Sequence, residues 1–116
     1  LREHVLVPDL AGWRVERMPQ IPDVPYFDMP PDWLCEVLSA STEAHDRTDK
    51  LPIYAESGVP WIWLVNPRQR TLEVLKQVDG RWLVQATHRD DTPVCAEPFG
   101  AVELALGDLW LAKTEP

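Results

Sequence analysis

The stretch that most constrains the fold runs from Trp33 to Val65. Apolar runs at 33–38 and 59–65 predict two buried strands, and the polar segment between them predicts a helix that begins near residue 42, after several N-cap hydroxyls. A strand, a helix and a strand in this order favour a right-handed crossover between parallel neighbours. We therefore expect an α+β fold with a mixed sheet and a flanking helix.

Pro52 interrupts the helical part of this stretch. Proline lacks the backbone N–H that an interior helix position uses, and it disfavours helical geometry at the residue before it. We expect a kink between residues 48 and 52 or a restart at Leu51, and a helix end at Gly58.

Turn signals outline the rest of the chain. Asp79-Gly80 predicts a hairpin between strands at 71–78 and 82–87. The run at 4–7, followed by Pro8, predicts an edge strand or a bent strand, and five prolines between residues 19 and 31 exclude a regular helix there. A short strand at 101–106 and one helical turn at 107–111 are expected near the end.

Composition limits the functional classes. With 116 residues and 45% hydrophobic residues, the chain suffices for one domain, 1–116. A net charge of −8 argues against a protein that coats nucleic acid, whereas cleavage of DNA remains possible if acidic side chains bind a divalent metal. Cys35 and Cys95 are unclustered, which favours a reduced, cytoplasmic setting. No membrane-spanning run is evident. The chain opens inside a strand-like run without methionine, so we expect a fragment of a longer protein.

Glu36 is the residue that points to chemistry, because it lies inside an apolar strand. A buried carboxylate needs a compensating partner such as a metal, a lysine or several N–H donors. Two carboxylates at strand ends, Asp9 and Glu36, can bind Mg²⁺ through oxygen, and a nearby lysine, Lys50, can orient a water molecule. This is the apparatus for phosphodiester hydrolysis. The other interpretations are a turn role for Asp9, a structural pair of Glu36 with Lys50, and an exposed pair of Lys50 with Asp46.

Three segments carry a resemblance to a known family: VPDLAGWR at 7–14, EVLSASTEAHDRTDKLPIYAESGV at 36–59 and WLVNPRQRTLEV at 63–74. Together they resemble the Uma-two family of restriction-type endonucleases within the PD-(D/E)XK nuclease superfamily. The resemblance implies a restriction-endonuclease-like core and a Mg²⁺-dependent (or Mn²⁺-dependent) nuclease that acts on DNA.

The resemblance also implies roles for individual residues. Asp9 would be the acid after the proline of the PD motif, and Glu36 the second metal ligand. Leu38 replaces the lysine of the (D/E)XK triplet, so Lys50 would be its relocated equivalent. Asn66 stands where the family more often has aspartate, and the family's N-terminal helices and first strand are missing from this chain.

Two alternatives stay open at this point. A non-catalytic interaction module could keep the nuclease fold, as a homodimer through strand edges and tryptophans, with the polar residues as a buried network. A hydrolase of a small phosphorylated substrate would use the same three residues. Tyr54, one turn beyond Lys50, could hydrogen bond within the site if the kink at Pro52 permits.

Overall fold

A five-stranded mixed sheet forms the centre of the protein. The structure, a computed structural model, describes residues 9–12, 30–91, 93–100 and 103–111. The sheet order is β1-β2-β3-β4-β5, with strands at Leu10–Gly12, Trp33–Val37, Trp61–Asn66, Thr71–Val78 and Arg81–Arg89. A two-stranded sheet pairs β6, Pro93–Val94, with β7, Leu104–Ala105, and a 3-10 helix follows at Leu106–Leu111. The α+β fold and the mixed sheet predicted from the sequence are confirmed.

The parallel pair of the sheet is β2 with β3, in which Glu36 lies opposite Leu64. All other pairs of the large sheet are antiparallel, including β1 with β2 and the hairpin of β4 with β5. The hairpin turns at Asp79 and Gly80, whose φ angles of 52° and 78° match the positive values of a type I′ turn. The crossover and the hairpin were both predicted. The run at 4–7 and the segment 19–29 lie outside the described residues.

The connection between β2 and β3 is helical from Glu43 to Glu56. It comprises α1, Glu43–His45, a π turn, Asp46–Lys50, and α2, Leu51–Glu56. The N–H of Leu51 bonds to the carbonyl of Asp46, five residues earlier. Pro52 explains this widened turn, since its ring would clash with the carbonyl four residues back and it has no N–H to donate. The predicted irregularity before residue 52 is therefore a π turn.

Gly58 ends the helix as expected. Its φ angle is +86°, and its N–H bonds to the carbonyl of Ala55 while the N–H of Val59 bonds to the carbonyl of Tyr54. These two bonds form a Schellman motif, which satisfies carbonyls that the helix end leaves open. The chain then enters β3 after only Val59 and Pro60. This short connection fixes the position of the helix over the sheet.

Two apolar clusters pack on opposite faces of the sheet. One face contacts the helical connection, and its buried residues are Leu34, Leu38, Tyr54, Val59, Ile62, Leu64 and Leu75. The other face includes Cys35, Val37, Trp63 and Val65, covered by Val94, Ala96, Leu106 and Trp110. Because β2 alternates, Glu36 projects toward the helical side together with Leu34 and Leu38. Cys35 lies in the cluster on the other face and points away from Glu36.

Candidate functional site

Glu36 is a carboxylate within a dry part of the protein, with only 2% of its surface exposed. Oε1 accepts a hydrogen bond of 2.7 Å from the hydroxyl of Tyr54, and Oε2 accepts one of 3.3 Å from Nζ of Lys50. Burial raises the pKa of Glu36, and these two hydrogen bonds and the Lys50 charge oppose that increase. The partners that compensate the buried carboxylate of Glu36 are thus Lys50 and Tyr54.

Lys50 lies between two buried carboxylates. Its Nζ is 3.0 Å from Oδ1 of Asp46 and 3.3 Å from Oε2 of Glu36, and 19% of its side chain is exposed. Burial by itself lowers the pKa of Lys50, but the two carboxylates outweigh it and the net shift is upward. Lys50 is therefore a cation at neutral pH. The pair with Asp46 was expected to be exposed if it formed, and that expectation is wrong because Asp46 is buried.

Asp9 enters the site from the edge strand. Oδ2 of Asp9 accepts a hydrogen bond of 2.6 Å from the backbone N–H of Val37. Asp9 immediately precedes β1, whose first residue, Leu10, lies opposite Cys35 in the antiparallel pair. The charge of Asp9 contributes to the raised pKa of Glu36 and of the buried Cys35 thiol. Asp9 is exposed, so this carboxylate lies on the solvent side of Glu36.

Asp9, Glu36 and Lys50, the three residues selected from the sequence, thus come from three different elements and meet near the end of β2. Asp9 precedes β1, Glu36 lies in β2, and Lys50 closes the π turn. Their proposed roles as metal ligands and catalytic lysine stay predictions. What the structure gives is their proximity, together with the mixture of one exposed and one buried carboxylate.

Tyr54 and Asp46 are the site residues that sequence reasoning did not select. Tyr54 is fully buried and donates to Glu36, and burial and the carboxylate raise its pKa, so it stays a protonated phenol that donates a hydrogen bond. The spacing of four between residues 46, 50 and 54 was visible in the sequence. A hydrogen bond from Tyr54 within the site was expected only if the kink at Pro52 permitted it, and the bond to Glu36 confirms it. The π turn leaves the side chains of residues 46, 50 and 54 on the side of the helix that faces Glu36.

The candidate metal site offers few protein ligands, and these are carboxylate oxygens. Among the described residues, no group of three or more His, Cys, Asp or Glu side chains is arranged to hold a metal ion. Asp9 and Glu36 supply two carboxylates, and each oxygen of Glu36 accepts only one of the hydrogen bonds given above. Mg²⁺ is commonly bound through one or two carboxylates while it keeps several waters. Two carboxylates with water are the type of ligand set that Mg²⁺ or Mn²⁺ uses, and the metal site itself stays a prediction.

A second network of ion pairs connects the helix with β4 and with the turn between β3 and β4. Arg47 donates to Glu43 at 2.9 Å and also to Glu73 of β4, and Arg68 donates to Glu43 at 2.8 Å. Arg47 pairs with Glu43 and Glu73. Within the described part of the chain, the cation that pairs with Glu36 is therefore Lys50.

Asn66, at the end of β3, closes the turn that follows it. Its Oδ1 accepts from the N–H of Gln69 at 3.2 Å, and its Nδ2 donates to the side chain of Gln69 at 3.3 Å. The asparagine is buried and both polar ends have local partners. Its side chain therefore organises the turn between β3 and β4.

Comparison with known proteins agrees with the fold. The sequence model of the Uma2 family, described as "Putative restriction endonuclease", matches residues 2–107. The chain belongs to the Uma2 family. A search of the curated proteins found no match.

A solved structure shares the architecture. The crystal structure of a "putative nuclease belonging to DUF820" from Anabaena variabilis superposes with a TM-score of 0.65 at 23% sequence identity. The match covers 91% of this chain and 60% of that protein. The likeness establishes a nuclease-like fold for the Uma2 chain. In the part of the chain that the structure describes, no helix is long and apolar enough to cross a membrane.

Proposed function

We propose that this Uma2 chain is a DNA endonuclease that depends on Mg²⁺ or Mn²⁺ and hydrolyses phosphodiester bonds. The observation that carries the proposal is the convergence on β2 of a buried carboxylate, an exposed carboxylate and a lysine: Glu36, Asp9 and Lys50. Membership of a family described as restriction endonucleases and a nuclease-like fold support the same reaction class.

In this proposal Asp9 and Glu36 hold the metal. A divalent ion bound there would polarise a phosphoryl oxygen of the substrate and lower the pKa of a bound water molecule. Because Asp9 is exposed and Glu36 is buried, the phosphate of a large substrate can approach from the side of Asp9 without entry into the core. This geometry suits a polymer such as DNA.

Lys50 and Tyr54 divide the remaining work. The ammonium of Lys50, beside Oε2 of Glu36, orients the attacking water and offsets negative charge that develops on the phosphate. The hydroxyl of Tyr54 holds Oε1 of Glu36, so the carboxylate keeps one rotamer. Tyr54 is a positioning residue in this scheme, since it acts through Glu36.

Nicking of a supercoiled plasmid with and without Mg²⁺ or Mn²⁺ tests the proposal. Wild type should nick in the presence of metal, and Asp9→Asn, Glu36→Gln and Lys50→Ala should each lower the rate by about a hundredfold or more. Glu56→Gln and Lys76→Ala are matched controls, because both side chains are exposed and outside the site. Equal rates for a site variant and its control would remove that residue from the catalytic set.

An interaction module is the second candidate function, and one observation favours it. Leu83 and Val84 on β5 are 55% and 52% exposed, and β5 is the last strand in the order of the large sheet. Exposed apolar residues on an edge strand favour association, here into a homodimer. Two results together would support this candidate. The wild-type chain would neither nick DNA nor shift its melting temperature with metal, and the Glu36→Gln variant would melt at a markedly lower temperature than wild type.

A further inference from the structure

Asp46 is the buried acid of the site that the metal does not use. Only 2% of Asp46 is exposed, and its Oδ1 has no aligned hydrogen bond among the described residues. The partner of Oδ1 is Nζ of Lys50, at 3.0 Å. An ionised carboxylate in this setting is strongly destabilising without its cation. Asp46 and Lys50 therefore depend on each other.

Lys50 contacts two carboxylates, those of Asp46 and Glu36, at different distances. Its Nζ lies closer to Asp46 than to Glu36, at 3.0 Å against 3.3 Å. A lysine paired with Glu36 alone would compete with a divalent ion for the same carboxylate, since both are cations attracted to Oε2. A second anion in contact with the ammonium, Asp46, weakens that competition.

Both backbone groups of Asp46 are hydrogen bonded. Its N–H bonds to the carbonyl of Thr42 at 2.8 Å, and its carbonyl accepts the N–H of Leu51 across the π turn. The adjacent Arg47 bonds to Glu43 and Glu73, so it does not neutralise Asp46. Asp46 is thus fixed at both backbone ends with its carboxylate committed to Lys50.

We infer that Asp46 is a positioning residue that draws the ammonium of Lys50 away from Glu36 and so leaves Oε2 of Glu36 available to a divalent cation. This inference rests on the proposed nuclease function and assigns to that site a residue outside the set of Asp9, Glu36 and Lys50. Asp46 acts entirely through Lys50. Its effect on the metal therefore requires the lysine.

The test measures metal affinity and turnover separately. Calorimetric titration of Mn²⁺ into the DNA-free protein gives Kd, and plasmid nicking at saturating Mn²⁺ gives kcat and KM. Asp46→Asn, which keeps the shape and removes the charge, should weaken Mn²⁺ binding and lower kcat by about tenfold each, with KM for the plasmid nearly unchanged. Asp46→Glu, which keeps the charge, should recover part of both losses.

Asp49→Asn is the matched control. Asp49 lies on the same π turn, is exposed and pairs with His45 at 2.7 Å, so its loss should change neither quantity. In a Lys50→Met background, where Asp46 has no lysine to hold, Asp46→Asn should change the Mn²⁺ affinity less than twofold. If Asp46→Asn does not fold, Asp46→Ser is measured in the same way, because the smaller side chain leaves no neutral amide to accommodate.

The outcomes separate the two proposals. A wild-type chain that binds Mn²⁺ and nicks DNA, with Asp46→Asn equal to Asp49→Asn in Kd and kcat, overturns the role of Asp46 and leaves the nuclease intact. An equal loss of Mn²⁺ affinity on Asp46→Asn with and without Lys50 also overturns it, since the effect would then bypass the lysine. A wild-type chain that neither binds Mn²⁺ nor nicks DNA overturns both proposals.

Discussion

The hydroxyl of Tyr54 donates a hydrogen bond of 2.7 Å to Oε1 of Glu36, from one full turn beyond Lys50. Both groups are buried, so the bond is made where water does not replace it. A carboxylate that is held in this way keeps its charge and its rotamer at lower free energy than an unpartnered one. Tyr54 thus connects the helix to the strand that carries the chemistry.

Removal of that hydroxyl should destabilise the protein in a manner that depends on pH. Tyr54→Phe leaves Oε1 of Glu36 buried without its donor, which should lower the free energy of unfolding by about 1–3 kcal/mol at pH 7. The bond lowers the pKa of Glu36, so its loss raises that pKa further and matters less at acidic pH, where Glu36 is protonated. Urea unfolding at pH 7 and pH 4.5 measures the difference. An equal loss at both values would contradict the assignment.

Glu36→Gln should behave in the opposite sense when no metal is present. The folded pKa of Glu36 is raised, mainly by burial, above its unfolded value. Its contribution to stability is therefore full below the unfolded pKa and is lost as the pH rises through the folded pKa. Relative to wild type, Glu36→Gln should thus gain stability between pH 4.5 and pH 8 and lose any response of its melting temperature to Mg²⁺. Thermal melts across that range, with Glu56→Gln as the exposed control, give the comparison.

Much of the fold follows from local patterns. The apolar runs around Glu36 and Leu64, the polar segment in which the helix begins at Glu43 and Gly58 after the helix are each consistent with the same crossover. The predicted capping by a hydroxyl is wrong, because Thr42 at the N-cap makes no side-chain cap hydrogen bond. Asp79-Gly80 likewise specified the hairpin through its positive φ angles. In contrast, β6 was missed, because a two-residue strand is defined by its partner in β7 and carries almost no local signal.

The site was less predictable than the fold. Glu36 could be selected because it is a charged residue within an apolar strand. The spacing of four residues indicated that Asp46 and Tyr54 lie near Lys50 on the helix. The burial of Asp46 could not be deduced, because it depends on how the π turn rotates the helix against β2. The antiparallel pairing of β1 with β2 that brings Asp9 to the backbone of Val37, next to Glu36, also depends on the tertiary structure, since 27 positions separate Asp9 from Glu36 in the sequence.

Removal of the lysine should separate stability from catalysis. Lys50→Ala leaves Glu36 and Asp46 buried without their cation, which should lower the free energy of unfolding by about 3–5 kcal/mol. Lys76→Ala is the control: Lys76 is an exposed lysine 5.6 Å from the ring centre of Trp61, and its loss should be limited to about 1 kcal/mol.

Metal should restore part of the stability of Lys50→Ala, because a divalent ion replaces the lost positive charge beside Glu36. Melting temperatures of this variant should therefore rise more with Mg²⁺ than those of wild type, while its plasmid nicking stays about a hundredfold or more below the wild-type rate. Cleavage by Lys50→Ala at the wild-type rate would show that the lysine does not act on the water.

Association through β5 should depend on its exposed apolar residues. Leu83 and Val84 are neighbours in sequence and project to opposite faces at an exposed edge of the large sheet, where apolar contact with a second copy would remove them from water. Leu83→Lys and Val84→Lys should each shift sedimentation velocity profiles toward the monomer and leave the melting temperature nearly unchanged. Gln85→Lys, at the exposed position between Val84 and Ala86 where the pairing with β4 shifts register, adds the same charge without loss of apolar surface and is the matched control. A wild-type chain that sediments as a strict monomer at high concentration would show that this edge does not mediate self-association. An equal effect of all three variants would show that the association does not depend on Leu83 and Val84.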